Sequence, residues 1–356
     1  MKALLDRYLA TRIVTSTALV LSVLIALTIF FAFVDALRDY GQENFGLYQL
    51  GRYVLLAQPR KIYEIFPVAT LIGTLLGLSS LAVNSELVAM RAAGVSVWQL
   101  IGSAMRVGLV FAILAAALGE FVVPITENKA QIGRAHALSR GVVQQRTGLW
   151  LRDGPSFVSI GEVLPDLTLL RVNIYSFQDD IRLKVQTSAE RAEFSAAEGW
   201  KLLKVRETHI ENNGITARKM HALPWSTTVT KDLVGVFAVQ PEQLSLQHLS
   251  NYIEHLERNG QSTERYRLVY WQKLLMPIAV VVMVLMATPF ALGHTRGGGV
   301  SRRVFAGVML GLAFVVVTRI FGHFGLLYGL PPFFGAALPI LLFLSGALVL
   351  LRRSIG

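Results

Sequence analysis

Cysteine is absent from all 356 residues, which removes disulfides, thiolate metal sites and thiol catalysis together. Any part of the chain that folds outside a reducing compartment does so without covalent staples. Charge is scarce as well: Asp, Glu, Lys and Arg make up 16% of the residues against 53% hydrophobic, and mean hydropathy is +0.51. That balance excludes a simple cytosolic enzyme and places the chain in the membrane class. Catalytic signatures are missing too. No Walker-type phosphate loop, no H-E-x-x-H and no G-x-S-x-G string occurs, so neither a catalytic residue nor a metal ligand is assigned. Gly297-Gly298-Gly299 lacks the lysine of a phosphate loop and reads as a turn. His248 and His255 stand seven apart on one predicted helix, but a metal site needs a third ligand, and solvated surface histidines are the default.

Long apolar runs are what the chain does have. A hydrocarbon core about 30 Å thick takes about 20 apolar helical residues. Ile13–Val34, Ile65–Val83, Leu274–Leu292 and Phe333–Leu351 qualify without a charge, while Leu100–Val123 includes Arg106 and Glu120, and Val304–Leu327 includes Arg319 and His323. Six transmembrane helices are predicted. The first run is longer than a signal-peptide core, and no small-residue cleavage site follows it before Asp35, so it is expected to stay as a helix. An even number of spans puts both termini on one side. Lys2, Arg7, Arg12, Arg91, Arg296, Arg302, Arg303, Arg352 and Arg353 give nine basic residues on that side, against Arg38, Arg52, Arg60 and Lys61 in the short loops opposite. The bias of basic residues toward the cytoplasm makes the termini cytoplasmic and sends the 150-residue insert between spans three and four outside. The net charge of +11 is concentrated outside that insert: Pro124 to Lys273 carries 19 basic and 16 acidic residues. The excess points to membrane anchoring or an anionic membrane partner, not nucleic acid.

The insert reads as all-β. Leu170, Val172 and Ile174 alternate with Arg171, Asn173 and Tyr175, and Leu203 and Val205 alternate with Lys204 and Arg206, the period of half-buried strands. Arg152-Asp153-Gly154-Pro155, Gln178-Asp179-Asp180, Glu198-Gly199 and Asn212-Asn213-Gly214 supply turns. Many short strands suggest a sandwich or jelly roll. After Pro241, Leu246, Leu249, Ile253 and Leu256 recur at helical spacing and Asn259-Gly260 stops them. The expected plan is therefore 1–136 with helices one to three and a cytoplasmic helix at about 84–96, a β-jelly-roll-like domain at 137–240, a connecting helix at 241–270, and helices four to six at 271–356.

Three features stand out from this plan. In Asn84 to Ser96, Leu87 and Met90 form a small apolar face, Glu86 lies in the first turn and Gly94 ends the helix. This is either a surface connector or a coupling helix that docks into a partner. Arg38, Arg60, Lys61 and Arg134 sit at the outer ends of the first three spans, against the inside bias. They either snorkel beside ordinary lipid phosphates or orient an anionic headgroup, since arginine presents a planar fork suited to phosphate. Arg319 and His323, one turn apart in span five, either face a cavity or protein partner or reach the outer interface.

At Leu5-Asp6-Arg7-Tyr8, Phe33-Val34-Asp35, Ser85-Glu86-Leu87-Val88-Ala89-Met90, Gly119-Glu120-Phe121-Val122-Val123-Pro124, Gly148-Leu149-Trp150 and Tyr328-Gly329-Leu330-Pro331-Pro332 the chain resembles the permeases of the lipopolysaccharide-export ATP-binding-cassette transporter, the LptF/LptG family, and within it the G type more than the F type. The likeness covers nearly the whole chain. It implies a non-catalytic permease subunit in the bacterial inner membrane that helps extract lipopolysaccharide and pass it, through periplasmic jelly rolls, to a periplasmic bridge. Implied partners are an F-type permease subunit, a cytoplasmic ATPase dimer and a single-span C subunit. No cofactor is expected on this chain, since ATP and magnesium are used by the partner ATPase. By position, Glu86, Leu87, Met90 and Arg91 match the helix that contacts the ATPase, and Arg38, Arg60 and Arg134, with Lys61 beside them, match basic positions that hold the lipid's phosphates. Asp39 stands where relatives can have a second basic residue, so the cluster is weaker in charge and rests more on Arg60 and Lys61. A membrane-tethered envelope scaffold is the rival reading.

Overall fold

The computed structural model describes residues 2–41, 45–138, 143–145, 148–154, 156–163, 167–178, 182–195, 199–211, 214–227, 241–258, 262–292 and 300–355. Pro155, Asp179-Asp180, Glu198, Asn212-Asn213, Asn259-Gly260, Arg296 and Gly297-Gly298-Gly299 lie outside the described residues, as do 139–142, 146–147, 164–166 and 228–240 of the expected β segment.

Nine α-helices occur among the described residues: α1 (Lys2–Ala36), α2 (Leu47–Val83), α3 (Glu86–Ala92), α4 (Val97–Ala117), α5 (Val123–Leu138), α6 (Leu246–Arg258), α7 (Glu264–Leu292), α8 (Val300–Leu327) and α9 (Pro332–Ile355). Six apolar helices are long enough to cross a membrane: α1, α2, α4 running on into α5, α7, α8 and α9. Helices are the expected solution, because a span has no water to satisfy its backbone groups. Their ends reach beyond the apolar runs. With 37 residues, α2 is about 55 Å long at 1.5 Å per residue, so the charged stretch that holds Arg52, Arg60, Lys61 and Glu64 extends the same helix past the hydrocarbon.

The chain divides into two compact units. One comprises Met1–Ala32, Ala57–Glu127 and Leu244–Gly356; the other comprises Phe33–Leu56 and Asn128–Gln243. In the first, Leu9 and Ile13 of α1, Leu71 and Leu75 of α2, Phe111 of α4, Val280 and Met283 of α7, and Phe343 of α9 belong to one buried core. Glycine pairs bring two helices against α2. A Cβ on Gly73 would stand 2.4 Å from the Thr17 Cα, and one on Gly77 would stand 2.9 Å from the Arg12 carbonyl oxygen, so α1 lies directly on the α2 backbone. On another side, Gly307 and Gly311 of α8 meet Leu75 and Val68 of α2. Both pairs are spaced four apart, the small-residue pattern that lets apolar helices gain close van der Waals packing in lipid, where hydrophobic burial supplies no drive. The periodicity of apolar residues alone gives no hint of it. Burial differs sharply as a result: 72% of the apolar window of α2 is buried, against 11% for α1 and 17% for α8.

Between α4 and α5, Leu118–Val122 forms a π-helical turn. The extra residue brings Gly119 onto the Tyr63 ring, 2.5 Å from where a Cβ would sit, and rotates Glu120 away from the lie a continuous α-helix would give it.

The second unit contains the sheet. Strands β1 (Val143–Gln145), β2 (Gly148–Asp153), β3 (Ser156–Val163), β4 (Leu169–Gln178), β5 (Arg182–Ser195), β6 (Gly199–Glu211) and β7 (Gly214–Trp225) pair antiparallel in consecutive order. Gly154 and Gly199 turn with positive φ at two of the connections, as the turn signals anticipate. All-β structure is therefore correct, and Val172, Ile174 and Val205 are buried as the alternation expects, but its first position fails in both strands. Leu169 and Leu202 are buried where Leu170 and Leu203 were expected to be, because the core residues step by three once in each of four strands: Ile160 to Val163, Leu169 to Val172, Ala189 to Ala192, and Leu202 to Val205. The steps fall on one line across the sheet. Register places Gly161 beside Arg171, Arg171 beside Glu190, Glu190 beside Lys204 and Lys204 beside His221. Arg171 and Lys204 take φ of 52° and 50°, the left-handed region that non-glycine residues avoid. Pairing is interrupted along this line while the register stays the same on either side of it, which creases the sheet; Val158, Ile160, Val172, Leu202 and Trp225 belong to one buried apolar core.

Candidate functional site

With seven residues α3 is too short to hold itself by backbone bonds, and its position comes from its side chains. Ser85 enters it in the left-handed conformation at φ 59°, which sets the angle between α2 and α3. Leu87 is buried in the helical core and Met90 packs against that core. Of the four residues matched to the ATPase contact, these two are turned inward; Arg91 faces out, together with Val88 at 66% exposure. Glu86 is partly covered. Its Oε2 accepts a hydrogen bond from Tyr8 Oη at 2.7 Å, and Tyr8 Oη accepts one from Arg12 Nη2 at 3.0 Å, with the guanidinium 5.3 Å from the Tyr8 ring centre. At the same end of α1, Asp6 accepts hydrogen bonds from Ser103 and Arg106 of α4. Arg106, which reads from the sequence as an interfacial anchor, is thus also an ion-pair partner. In the sequence Arg12 counts only toward the cytoplasmic charge bias and Tyr8 only toward the family likeness; their four-residue spacing on one helix face was the available signal of a pair.

The basic residues are found in both units. In the helical unit, Arg60 Nε lies 3.0 Å from Glu64 Oε1 and Arg60 Nη1 lies 3.4 Å from Glu127 Oε1, while Lys61 Nζ lies 3.6 Å from Glu64 Oε2. Glu127 has a side chain only 4% exposed, and Arg60 is an ion-pair partner for its carboxylate. Two cations face two carboxylates there among the described residues. In the other unit, Arg134 grips Asp39 Oδ2 through Nε at 2.8 Å and Nη2 at 2.5 Å and lies over the Tyr53 ring at 5.1 Å. Asp39 is the residue that engages Arg134. Arg38 is exposed. Each of these ion pairs holds its cation in a defined orientation, so that any anion binding the cation would have to share or displace the carboxylate.

A second junction was invisible in the sequence. Glu120 Oε2, rotated by the π turn, accepts from the Leu246 backbone N–H at 2.8 Å, while Ser245 Oγ accepts from the His248 N–H at 3.3 Å. Together they supply the first orphan donors of α6 with acceptors, one of them an anion at the positive end of the helix dipole. Lys273 of α7 donates to the Leu244 carbonyl from the other side. His248 Nδ1 is 2.9 Å from Ser245 Oγ, so His248 works in this cap; the side chain of His255 is outside the described residues. Arg319 and His323 lie exposed on α8.

Inside the sheet unit a cavity of about 650 Å³ opens beside the β2–β3 turn. Asp153, Ser156, Ser176 and Thr187 give it a polar wall and Leu202 and Trp225 an apolar one. The volume lies within the range of small-ligand clefts, and the two-sided lining suits an amphiphile.

Comparison with known proteins gives these features a context. Residues 7–353 match the family model described as lipopolysaccharide export system permease LptF/LptG. The lipopolysaccharide export system permease protein LptG of Escherichia coli is 38% identical over 352 residues, 98% of each chain, and that of Haemophilus influenzae is 33% identical over 351 residues, again 98% of each. With that extent of likeness over a six-span helical unit and an inserted antiparallel sheet, the chain belongs to the LptF/LptG family of lipopolysaccharide export permeases.

Proposed function

We propose that this chain is the G-type permease subunit of a lipopolysaccharide exporter in the bacterial inner membrane, with both termini and α3 in the cytoplasm and the sheet unit in the periplasm. The observation that carries the reading is the uneven covering of the spans. α2 is enclosed, yet the two helices that lie on it through glycine pairs, α1 and α8, leave apolar surface open: Leu19, Val23, Leu27 and Phe30 on α1, Leu312, Val316 and Ile320 on α8. Such surfaces suit a second, F-type permease and the acyl chains of a lipid held between the two. Burial of each acyl methylene is worth about 0.8 kcal/mol, so a lipid with several chains leaves the bilayer only with external work. A cytoplasmic ATPase dimer, using ATP and magnesium, supplies it through α3, where Glu86 and Arg91 with Val88 form the contact and Leu87 and Met90 carry the push into the core. Arg38, Arg60, Lys61 and Arg134 receive the lipid's phosphates, and a single-span C subunit joins the assembly. The cleft of the sheet unit, polar on one wall and apolar on the other, suits the lipid's onward path.

Purification from native membranes with identification of the bound proteins tests the assembly. An F-type permease and an ATPase whose hydrolysis responds to lipopolysaccharide are expected; a sheet-bound envelope protein without any ATPase would favour the scaffold reading instead. For the phosphate site, charge reversal at Arg38 and Arg60 together is expected to reduce lipid crosslinking and export, and full export by that double variant refutes it. For α3, Glu86→Lys is expected to weaken copurification of the ATPase.

A further inference from the structure

The contacts of α3 inside the chain point past the docking surface itself. Tyr8 Oη lies between two charged groups, accepting from Arg12 Nη2 at 3.0 Å and donating to Glu86 Oε2 at 2.7 Å. Hydrogen bonds with an ionised partner are the stronger kind, and a cation on the phenol oxygen polarises its O–H further toward the carboxylate. The three groups span two helices: Tyr8 and Arg12 are one turn apart on α1, and Glu86 opens α3. The α1 segment concerned cannot slide along α2 easily, because the Arg12 carbonyl and Thr17 are seated on Gly77 and Gly73. α1 is also the span with the least of its apolar window covered by the rest of the chain.

We infer that Tyr8, polarised by Arg12, is a positioning residue that ties Glu86 of α3 to α1, so that displacement of α3 is transmitted to the uncovered face of α1 and not only to α2 and α4, the helices that flank α3 in the chain. The inference rests on α3 being the ATPase contact. Leu87, buried in the core, makes α3 follow the bundle as a whole; the Tyr8 hydroxyl adds a directed link to one helix. Both ends of that link are polar and lie at the end of α1 remote from the apolar lining, so its loss leaves the lining unchanged.

Tyr8→Phe isolates the link, because it keeps the ring over which Arg12 lies and removes only the hydroxyl. The variant is assayed in the full permease–ATPase complex, reconstituted in proteoliposomes that contain lipopolysaccharide. Two quantities are read: lipid released per ATP hydrolysed, and the amount of ATPase that copurifies. The ATPase is expected to copurify as in the wild type while lipid released per ATP falls roughly threefold or more, the scale on which losing one charge-assisted hydrogen bond at a partly exposed site acts. An unchanged ratio overturns the inference, and so does a parallel loss of ATPase and transport, which would mean that Tyr8 serves docking alone. Should Tyr8→Phe fail to accumulate, Arg12→Gln removes the polarising cation and carries the same expectation and the same refutation. Glu86→Lys separates the premise from the inference. If it leaves ATPase copurification intact, the α3 contact itself is misassigned; if it strips the ATPase while Tyr8→Phe keeps the wild-type ratio, the link alone falls.

Discussion

Asp39→Asn is the sharpest probe of the phosphate site, because it changes the availability of Arg134 without touching any basic residue. Arg134 holds Asp39 through two nitrogens at 2.8 and 2.5 Å, with side-chain exposures of 32% and 16%. Two unit charges 4 Å apart attract by about 4 kcal/mol at an effective dielectric constant near 20. Solvent screening at this partial exposure and the ordering of two side chains leave a net of about 1–2 kcal/mol. A lipid phosphate that engages Arg134 must first weaken that pair, and asparagine keeps the shape of the acceptor while removing its charge. If Arg134 is a phosphate ligand, lipopolysaccharide binding tightens in the variant by about 5- to 30-fold, the ratio equivalent to that energy. A titration of the purified complex with lipopolysaccharide at fixed ionic strength measures it, since salt alters surface electrostatics on its own. The double variant Asp39→Asn with Arg134→Gln closes the cycle: the gain must vanish when Arg134 is gone. Binding as in the wild type, weaker binding, or a gain that survives in the double variant would each refute the assignment.

Gly73→Leu places a branched side chain where the Thr17 backbone stands 2.4 Å from a bare Cβ; α1 must lift from α2, at a cost of several kcal/mol, about 3 or more by the usual penalty for overpacking, and the thermal stability of the purified chain drops sharply. Gly102, with nothing near its Cβ, is the control, and Gly102→Leu leaves the melting temperature close to that of the wild type. Glu120→Ala removes the carboxylate from the first N–H of α6 and is expected to lower stability by about 1–2 kcal/mol, with faster hydrogen exchange confined to the start of α6; Glu120→Gln keeps an acceptor and recovers part of it. Lys204→Gly relaxes a left-handed residue on the crease at the expense of an exposed ion pair to Glu190, so the sheet gains about 0.5–1 kcal/mol in a denaturation experiment, and a loss would show that the crease is not strained.

Features governed by transfer between water and an apolar phase were legible in the sequence. Six spans, an inserted all-β segment and the short α3 all follow from runs and periods of apolar residues, and the structure has them. What escaped depends on local irregularities of the backbone. The π turn at Leu118–Val122 turned Glu120 from an end-of-span carboxylate into a helix cap, and nothing in Leu118-Gly119-Glu120 distinguishes a π turn from an α turn. The left-handed residues Arg171 and Lys204 moved the buried positions from Leu170 and Leu203 to Leu169 and Leu202, because a strand with period two has no memory of its phase across an irregular residue. Ion pairs escaped for a related reason. Arg60 with Glu127 is 67 residues apart and Arg134 with Asp39 is 95, so composition displayed the cations while the fold alone chose their carboxylates.

That pairing bears on how such a site works. A cluster of uncompensated arginines at a membrane surface would hold any phosphate, including those of ordinary lipids, and would hold it tightly enough to resist release. Here Arg60 and Lys61 share Glu64, Arg60 also reaches Glu127, and Arg134 has Asp39. A single phosphate gains little by replacing one such carboxylate, since it exchanges one charge-assisted pair for another. A ligand that presents several phosphates adds terms that an ordinary phospholipid lacks. Discrimination then comes from the difference between two affinities, as it must, and the carboxylates supply the part that opposes the wrong ligand. If these residues hold the lipid's phosphates as proposed, the same carboxylates return to their arginines when the lipid departs, which lowers the barrier to release. Neutralising them should therefore tighten binding and slow export together, a combination that a site built only for affinity would not give.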